Sequence, residues 1–174
     1  HGEPSELNAH PHCSDDRNVV GVHNGIIENY QELREKLQNK GYTFYSDTDT
    51  EVAIKLIDYY YKKYEHTPVD AINHAMVRIR GSYALAIMFR DYPEEIYAAR
   101  KDSPMIIGVA DDAGMHSSQN EQDSRHYAIA AKVPMLEPSD SAEALAFTKI
   151  AYEISEKYDT PVFMKMCTRV AHSQ

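Results

Sequence analysis

A mixed α/β fold is what this sequence predicts: helices layered on a mixed β-sheet, with a parallel βαβαβ portion toward the C-terminal end. Three observations predict it. Short β-branched or apolar runs alternate with amphipathic segments along the whole chain. Several of those segments carry helix start and stop residues. From residue 105 onward the order is strand, helix, strand, helix, strand, the pattern of parallel crossover units. With 174 residues, 43% of them hydrophobic and 26% charged, the chain has the composition of an ordinary globular protein with a sizeable core.

The elements follow in order. Residues 1–17 are polar and contain Pro4 and Pro11, as a loop would. Residues 18–23 form a short β-branched strand, and Asn24-Gly25 after them is a turn signal, because both residues tolerate positive φ. Tyr30, Leu33 and Leu37 share one face of a helix over 29–40, with Gly41 past its end. Residues 43–45 make a brief strand. The run Asp47-Thr48-Asp49-Thr50-Glu51 opens a helix that continues to about Tyr64, capped by Thr48 or Asp49, with acids suited to the helix dipole. A second helix starts after Thr67-Pro68 and buries Ile72, Met76 and Ile79. Residues 83–89 and 96–99 are consecutive strands joined by a turn at 91–94. Residues 105–110 are an apolar strand, expected at the centre of one sheet because it lacks linker composition. A helix near 121–131, a strand at 134–136, a helix after Ser139-Asp140-Ser141 and a strand at 161–167 complete the chain, with Glu143 three residues past Asp140.

Charge and composition exclude several functions. A formal net charge of −9 repels phosphate backbones and argues against nucleic acid as a partner. No run of about 18 apolar residues is available to span a membrane. Cys13 and Cys167 match no disulfide framework or zinc spacing, so reduced thiols in a cytoplasmic protein are expected. His10, His12 and Cys13 offer zinc-ligating atoms on a loop, yet no metal is expected there. His1 begins the chain without a preceding Met or signal peptide, which reads as a cut end.

Amide hydrolysis needs donors aimed at a developing oxyanion, and a side-chain amide next to a glycine N–H supplies two. Asn24 and Gly25 have that form, although on residue chemistry alone the pair also reads as a hairpin turn. The motifs around it occur in order: His1-Gly2-Glu3-Pro4-Ser5, Asn8-Ala9-His10-Pro11-His12, His23-Asn24-Gly25-Ile26-Ile27-Glu28-Asn29 and Ser46-Asp47-Thr48-Asp49-Thr50-Glu51. Together with Arg80-Gly81-Ser82-Tyr83-Ala84 and Ala98-Ala99-Arg100, they closely resemble the glutaminase domain of glutamine–fructose-6-phosphate aminotransferases. Those are amidotransferases with an N-terminal nucleophile. The resemblance implies that Asn24 and Gly25 form the oxyanion hole, that Asp49 receives the α-ammonium of glutamine, and that His1 and His10 lie beside the substrate. The family's nucleophile is an N-terminal cysteine whose own amine acts as base. Residues 1–174 present no such cysteine ahead of His1, and Cys13 has no adjacent amine. The expectation is therefore a chain without glutaminase activity.

The second half differs. Residues 111–125, from Asp111-Asp112 to Asp123-Ser124-Arg125, resemble the pyrimidine-binding thiamine diphosphate domain of the indolepyruvate ferredoxin oxidoreductase alpha subunit. Glu137-Pro138-Ser139-Asp140-Ser141 and residues 168–173 extend the likeness. The family's pyrimidine-activating glutamate and diphosphate site have no counterparts here, so no cofactor is expected. Glu121 is read as a helix-start residue paired with Arg125, and Ser117-Ser118-Gln119-Asn120 as the loop where a residual pocket would sit. The whole then reads as a recombined chain, 1–109 joined to 110–174 and packed as one unit, without parental catalysis. Two alternatives stand beside it: a glutamine amidotransferase fragment, and a module binding an amino acid or small anion. Homo-oligomerisation is expected from apolar faces left uncovered.

Overall fold

The computed structural model describes residues 2–64, 67–112 and 123–171. The chain divides into two compact units, His1–Asp102 and Ser103–Gln174. The class is mixed α/β, with an antiparallel sheet in the first unit and a parallel one in the second.

The first unit contains β1 (His12–Cys13), β2 (Val19–Ile27), α1 (Tyr30–Gln38), α2 (Asp49–Tyr64), α3 (Pro68–Met76), β3 (Gly81–Phe89) and β4 (Tyr92–Lys101). Its four strands lie in the order β1-β2-β3-β4, all neighbours antiparallel. Burial alternates along β2 and β3: Val19, Gly21, His23 and Ile27 are buried with Gly25 half-buried, then Tyr83, Leu85, Ile87 and Phe89 are buried. That is the period-2 pattern of a sheet with one face on a core. The core is completed by α2, whose Val52, Ala53, Ile54, Leu56 and Ile57 are all buried. Ile54 of α2 packs closely on Gly21, where a Cβ would stand 2.4 Å from its Cδ1.

Because α2 is buried nearly all round, its charged residues need partners. Lys55 is 1% exposed and pairs with Glu51 at 2.5 Å and Asp15 at 2.8 Å, with the Phe44 ring 4.7 Å from its ammonium. Asp58 accepts from Tyr42 at 2.9 Å and Lys62 at 2.6 Å. Thr67 caps α3 by accepting from the Asp70 N–H, with Pro68 in the first turn, where its missing N–H has no cost.

Two local expectations are corrected. Asn24-Gly25 is not a hairpin turn, because β2 runs straight through it to Ile27, pairing Asn24 with Ala84 and Gly25 with Tyr83. Residues 43–45 form no strand; Tyr45 N–H instead donates to the Glu51 carboxylate.

The second unit contains β5 (Ile106–Ala110), α4 (Arg125–Ala131), β6 (Met135–Leu136), α5 (Ser141–Tyr158), β7 (Val162–Met166) and α6 (Thr168–Ala171). The three strands are parallel in the order β5-β7-β6. Thus the strand read as central, residues 105–110, lies at one edge of its own sheet. The middle place belongs to β7, which pairs with both neighbours and buries Val162, Met164 and Lys165, whereas β5 is half-buried or exposed throughout. Asp140 caps α5 by accepting from the Glu143 N–H at 2.8 Å, and the Glu143 carboxylate accepts from the Ser139 N–H at 2.9 Å. Ala151, Val162 and Met164 form the small core, flanked by Ile106, Leu136, Phe147 and Ile154.

Candidate functional site

β2 and the start of α2 bring the motif residues of the first unit together. Asn24 and Gly25 lie side by side near the end of β2. Gly25 has φ +120°, and a Cβ there would fall 2.2 Å from the Ser82 carbonyl oxygen, so only glycine fits. At the head of α2, Thr48 caps the helix by accepting from the Glu51 N–H at 3.2 Å. The Glu51 carboxylate reaches back to the N–H groups of Tyr45 and Ser46 at 3.1 and 2.8 Å, a reciprocal arrangement that fixes the turn before the helix. Asp49, first in the helix, accepts from the Ile27 N–H at 2.9 Å. That bond ties the end of β2 to the helix start and sets Asp49 beside Asn24 and Gly25 in space.

An open cavity of about 190 Å³ results, lined by Asn8, His10, His23, Asn24, Gly25, Thr48, Asp49 and Thr50. Of the residues assigned from sequence, Asn24, Gly25, His10 and Asp49 therefore share one cavity. His1 lies outside the described residues, as do Glu121 and the loop Ser117–Asn120. Sequence reading assigned no role to Asn8, His23 or Thr50, and gave Thr48 only as a helix cap. All four fall inside the quoted motifs, which was the available signal.

Thr50 links the two histidines, its hydroxyl lying 3.3 Å from His10 Nε2 and 3.1 Å from His23 Nδ1. His23 Nδ1 is also 3.7 Å from Asp49 Oδ1, while among the described residues the buried His23 Nε2 meets no hydrogen-bond partner. Burial holds the His23 imidazole below its ordinary value; the Asp49 charge pulls the other way and does not win. A neutral His23 that donates from Nδ1 leaves Nε2 a bare acceptor and keeps a positive charge away from the Asp49 carboxylate. His12 sits just below, with Nε2 3.1 Å from the Thr48 hydroxyl and Nδ1 3.1 Å from the Tyr45 hydroxyl. Burial lowers its imidazole as well, against the pull of Glu51.

No group of three or more metal-ligating side chains occurs among the described residues, and His10 and His12 are instead engaged by Thr50, Thr48 and Tyr45. Cys13 does not share the cavity. It lines a separate one with Ser14, Asp15, Arg17, Thr43 and Tyr45.

The arrangement offers one carboxylate and a neighbouring amide-plus-glycine pair in a cleft of amino-acid size. The Glutamine amidotransferase domain family matches residues 3–122, more than half of the chain. The chain belongs to that family. It is 50% identical over 118 residues to the glutamine–fructose-6-phosphate aminotransferase (isomerizing) of Clostridium acetobutylicum, covering 68% of this chain and 19% of that protein. The enzyme of the same name from Pyrococcus horikoshii is 50% identical over 114 residues, covering 63% and 18%. The chain thus spans about a fifth of the length of these relatives. Among solved structures, the glutamine phosphoribosylpyrophosphate amidotransferase of B. subtilis, complexed with ADP and GMP, is 28% identical with a TM-score of 0.46, covering 57% of this chain and 21% of that one.

The amidotransferase match crosses the seam at 109/110 and takes in residues 111–122, where the thiamine diphosphate likeness begins. In the second unit the charged residues bind one another. Lys165, 2% exposed, lies 3.1 Å from both Asp111 Oδ1 and Glu137 Oε1, and Arg125 grips Glu137 with two bonds of 2.7 and 2.9 Å. Among the described residues, the partners of Arg125 are therefore Glu137 and Asp123.

Proposed function

We propose that the first unit forms the glutamine-binding and oxyanion-stabilising side of a glutamine amidotransferase site. The observation that carries the reading is the shared cavity of Asn24, Gly25, Asp49 and His10, within a family match that spans it. Asp49 receives the α-ammonium of glutamine. The side-chain amide of glutamine then reaches toward Asn24 and Gly25. As a nucleophile adds to the amide carbon, the carbonyl oxygen gains negative charge, and the Asn24 carboxamide and Gly25 N–H stabilise it. One such donor is worth about 10²–10³ in kcat in comparable sites. His10 and a neutral His23, linked through Thr50, line the Asp49 side of the cleft. The reading requires a nucleophile from outside these residues, since Cys13 opens on another cavity. By analogy with the aminotransferases named above, the liberated nitrogen goes to a sugar phosphate held by another part of the protein.

Calorimetric titration tests this. Glutamine should bind, and glutaramate, which lacks the α-ammonium, should bind at least about tenfold more weakly. Asp49→Asn keeps an acceptor for the Ile27 N–H but removes the charge, and should bring glutamine down to the level of glutaramate. Equal binding of the two compounds would overturn the reading.

A further inference from the structure

A second cavity in the first unit, of about 180 Å³, lies where α1 and α2 meet the residues following α3. Its floor is apolar: Leu33, Leu37, Leu56 and Tyr60 are all buried. Its rim is cationic. Lys36, Lys40 and Arg78 line it, and among the described residues no carboxylate does. Lys36 is held by Glu32 at 2.5 Å, which leaves Lys40 and Arg78 as the charges best placed to act on a guest. The half-buried ring of Tyr59 forms one wall, with the Lys40 ammonium 4.9 Å and the Lys63 ammonium 5.7 Å from its centroid. Partial burial of the Tyr59 phenol would raise it, yet the hydrogen bond and charge of Lys40, joined by Lys63, bring it below its ordinary value. This local excess of positive charge stands on a chain of net charge −9.

We propose that this cavity binds a small aryl carboxylate. The volume supplies the size argument, because a cavity of about 150 Å³ lined by apolar side chains accepts benzene. The rim supplies the charge argument, because an arginine fork and a lysine ammonium are the natural partners of a carboxylate. A ring seated on the three leucines and Tyr60 puts its carboxylate at the mouth, between Lys40 and Arg78. Among the described residues the cavity shares no lining residue with the Asn24–Asp49 cleft, so it is a separate site.

The test is a titration of the ¹⁵N-labelled 174-residue chain with benzoate, benzamide and acetate. Benzoate should saturate, moving the amide signals of Leu37, Lys40 and Tyr59. Benzamide has the same shape without the charge and should bind at least tenfold more weakly; acetate has the charge without the ring and should not saturate. Lys40→Gln with Arg78→Gln alters two exposed side chains and should weaken benzoate at least tenfold, with the melting temperature unchanged. Equal affinity for benzoate and benzamide would overturn the proposal, as would unchanged binding in the double variant. Benzoate shifts confined to Asn24, Gly25 and Asp49 would also overturn it. Tighter binding of an acetylated Asp-Phe-Asp peptide than of benzoate would overturn the small-ligand assignment in favour of a peptide.

Discussion

Gly25→Ala should destabilise the first unit by more than any surface change, for two reasons that add. The residue has φ +120°, a region open to glycine and strained for alanine, at roughly 1–3 kcal/mol. The new Cβ would also stand 2.2 Å from the Ser82 carbonyl oxygen and 2.8 Å from the Tyr83 Cα. Both are backbone atoms of β3, so no side chain can swing away to relieve the clash. The strands must part locally, and each ladder bond lost in doing so is worth about 1 kcal/mol. The expected loss is about 2–5 kcal/mol, a large share of the roughly 5–15 kcal/mol of a typical domain. Urea unfolding followed by circular dichroism measures it, with the midpoint falling and the slope preserved. Asn24→Ala is the companion: its side chain is exposed, so stability should hold within about 0.5 kcal/mol. A Gly25→Ala loss below about 0.5 kcal/mol would refute the strand-centred placement of the pair.

Other consequences are equally concrete. Burial keeps the imidazoles of His23 and His12 below the ordinary 6.5, so the unfolded chain takes up protons that the folded chain refuses. Stability should be full above pH 6.5 and fall as the pH drops toward the lowered folded values, by at most about 1.4 kcal/mol per pH unit for each imidazole. Unfolding curves from pH 7 to 5 check this; His23→Gln should flatten the slope, and a profile already flat in the parent would contradict the burial account. Thr48→Ala removes the α2 cap and a partner of His12 and should cost about 1–2 kcal/mol in urea unfolding. Lys165→Met leaves the buried Asp111 carboxylate without its cation and should cost about 3–5 kcal/mol, read as lost amide protection across β5 and β7.

Much of this was readable from local pattern. Thr67-Pro68 and Asp140 with Glu143 marked helix starts because their physics lies within one turn. The run 83–89 was legible as a strand, and it became β3. What escaped depended on partners distant in sequence. Asn24-Gly25 has turn chemistry, but Tyr83 and Ala84 pair with it and the strand continues. The turn expected at 91–94 falls instead at Arg90–Asp91, because Pro93 sits in an edge strand, where a missing N–H is tolerated. Residues 105–110 look like a central strand by hydrophobicity; their place at the edge follows from β7 pairing on both sides. In the cavity, the motifs brought out Asn24, Gly25, Asp49 and His10, whereas the link through Thr50 needed two histidines thirteen residues apart to meet over one hydroxyl.

The central claim is that the Asn24–Asp49 cleft receives glutamine. Titrating the ¹⁵N-labelled chain with glutamine tests it most directly. Saturable shifts concentrated at Asn24, Gly25, Asp49 and Thr50, absent in Asp49→Asn, are the predicted result. No saturable shift at millimolar glutamine, or shifts confined to the second unit, would contradict it.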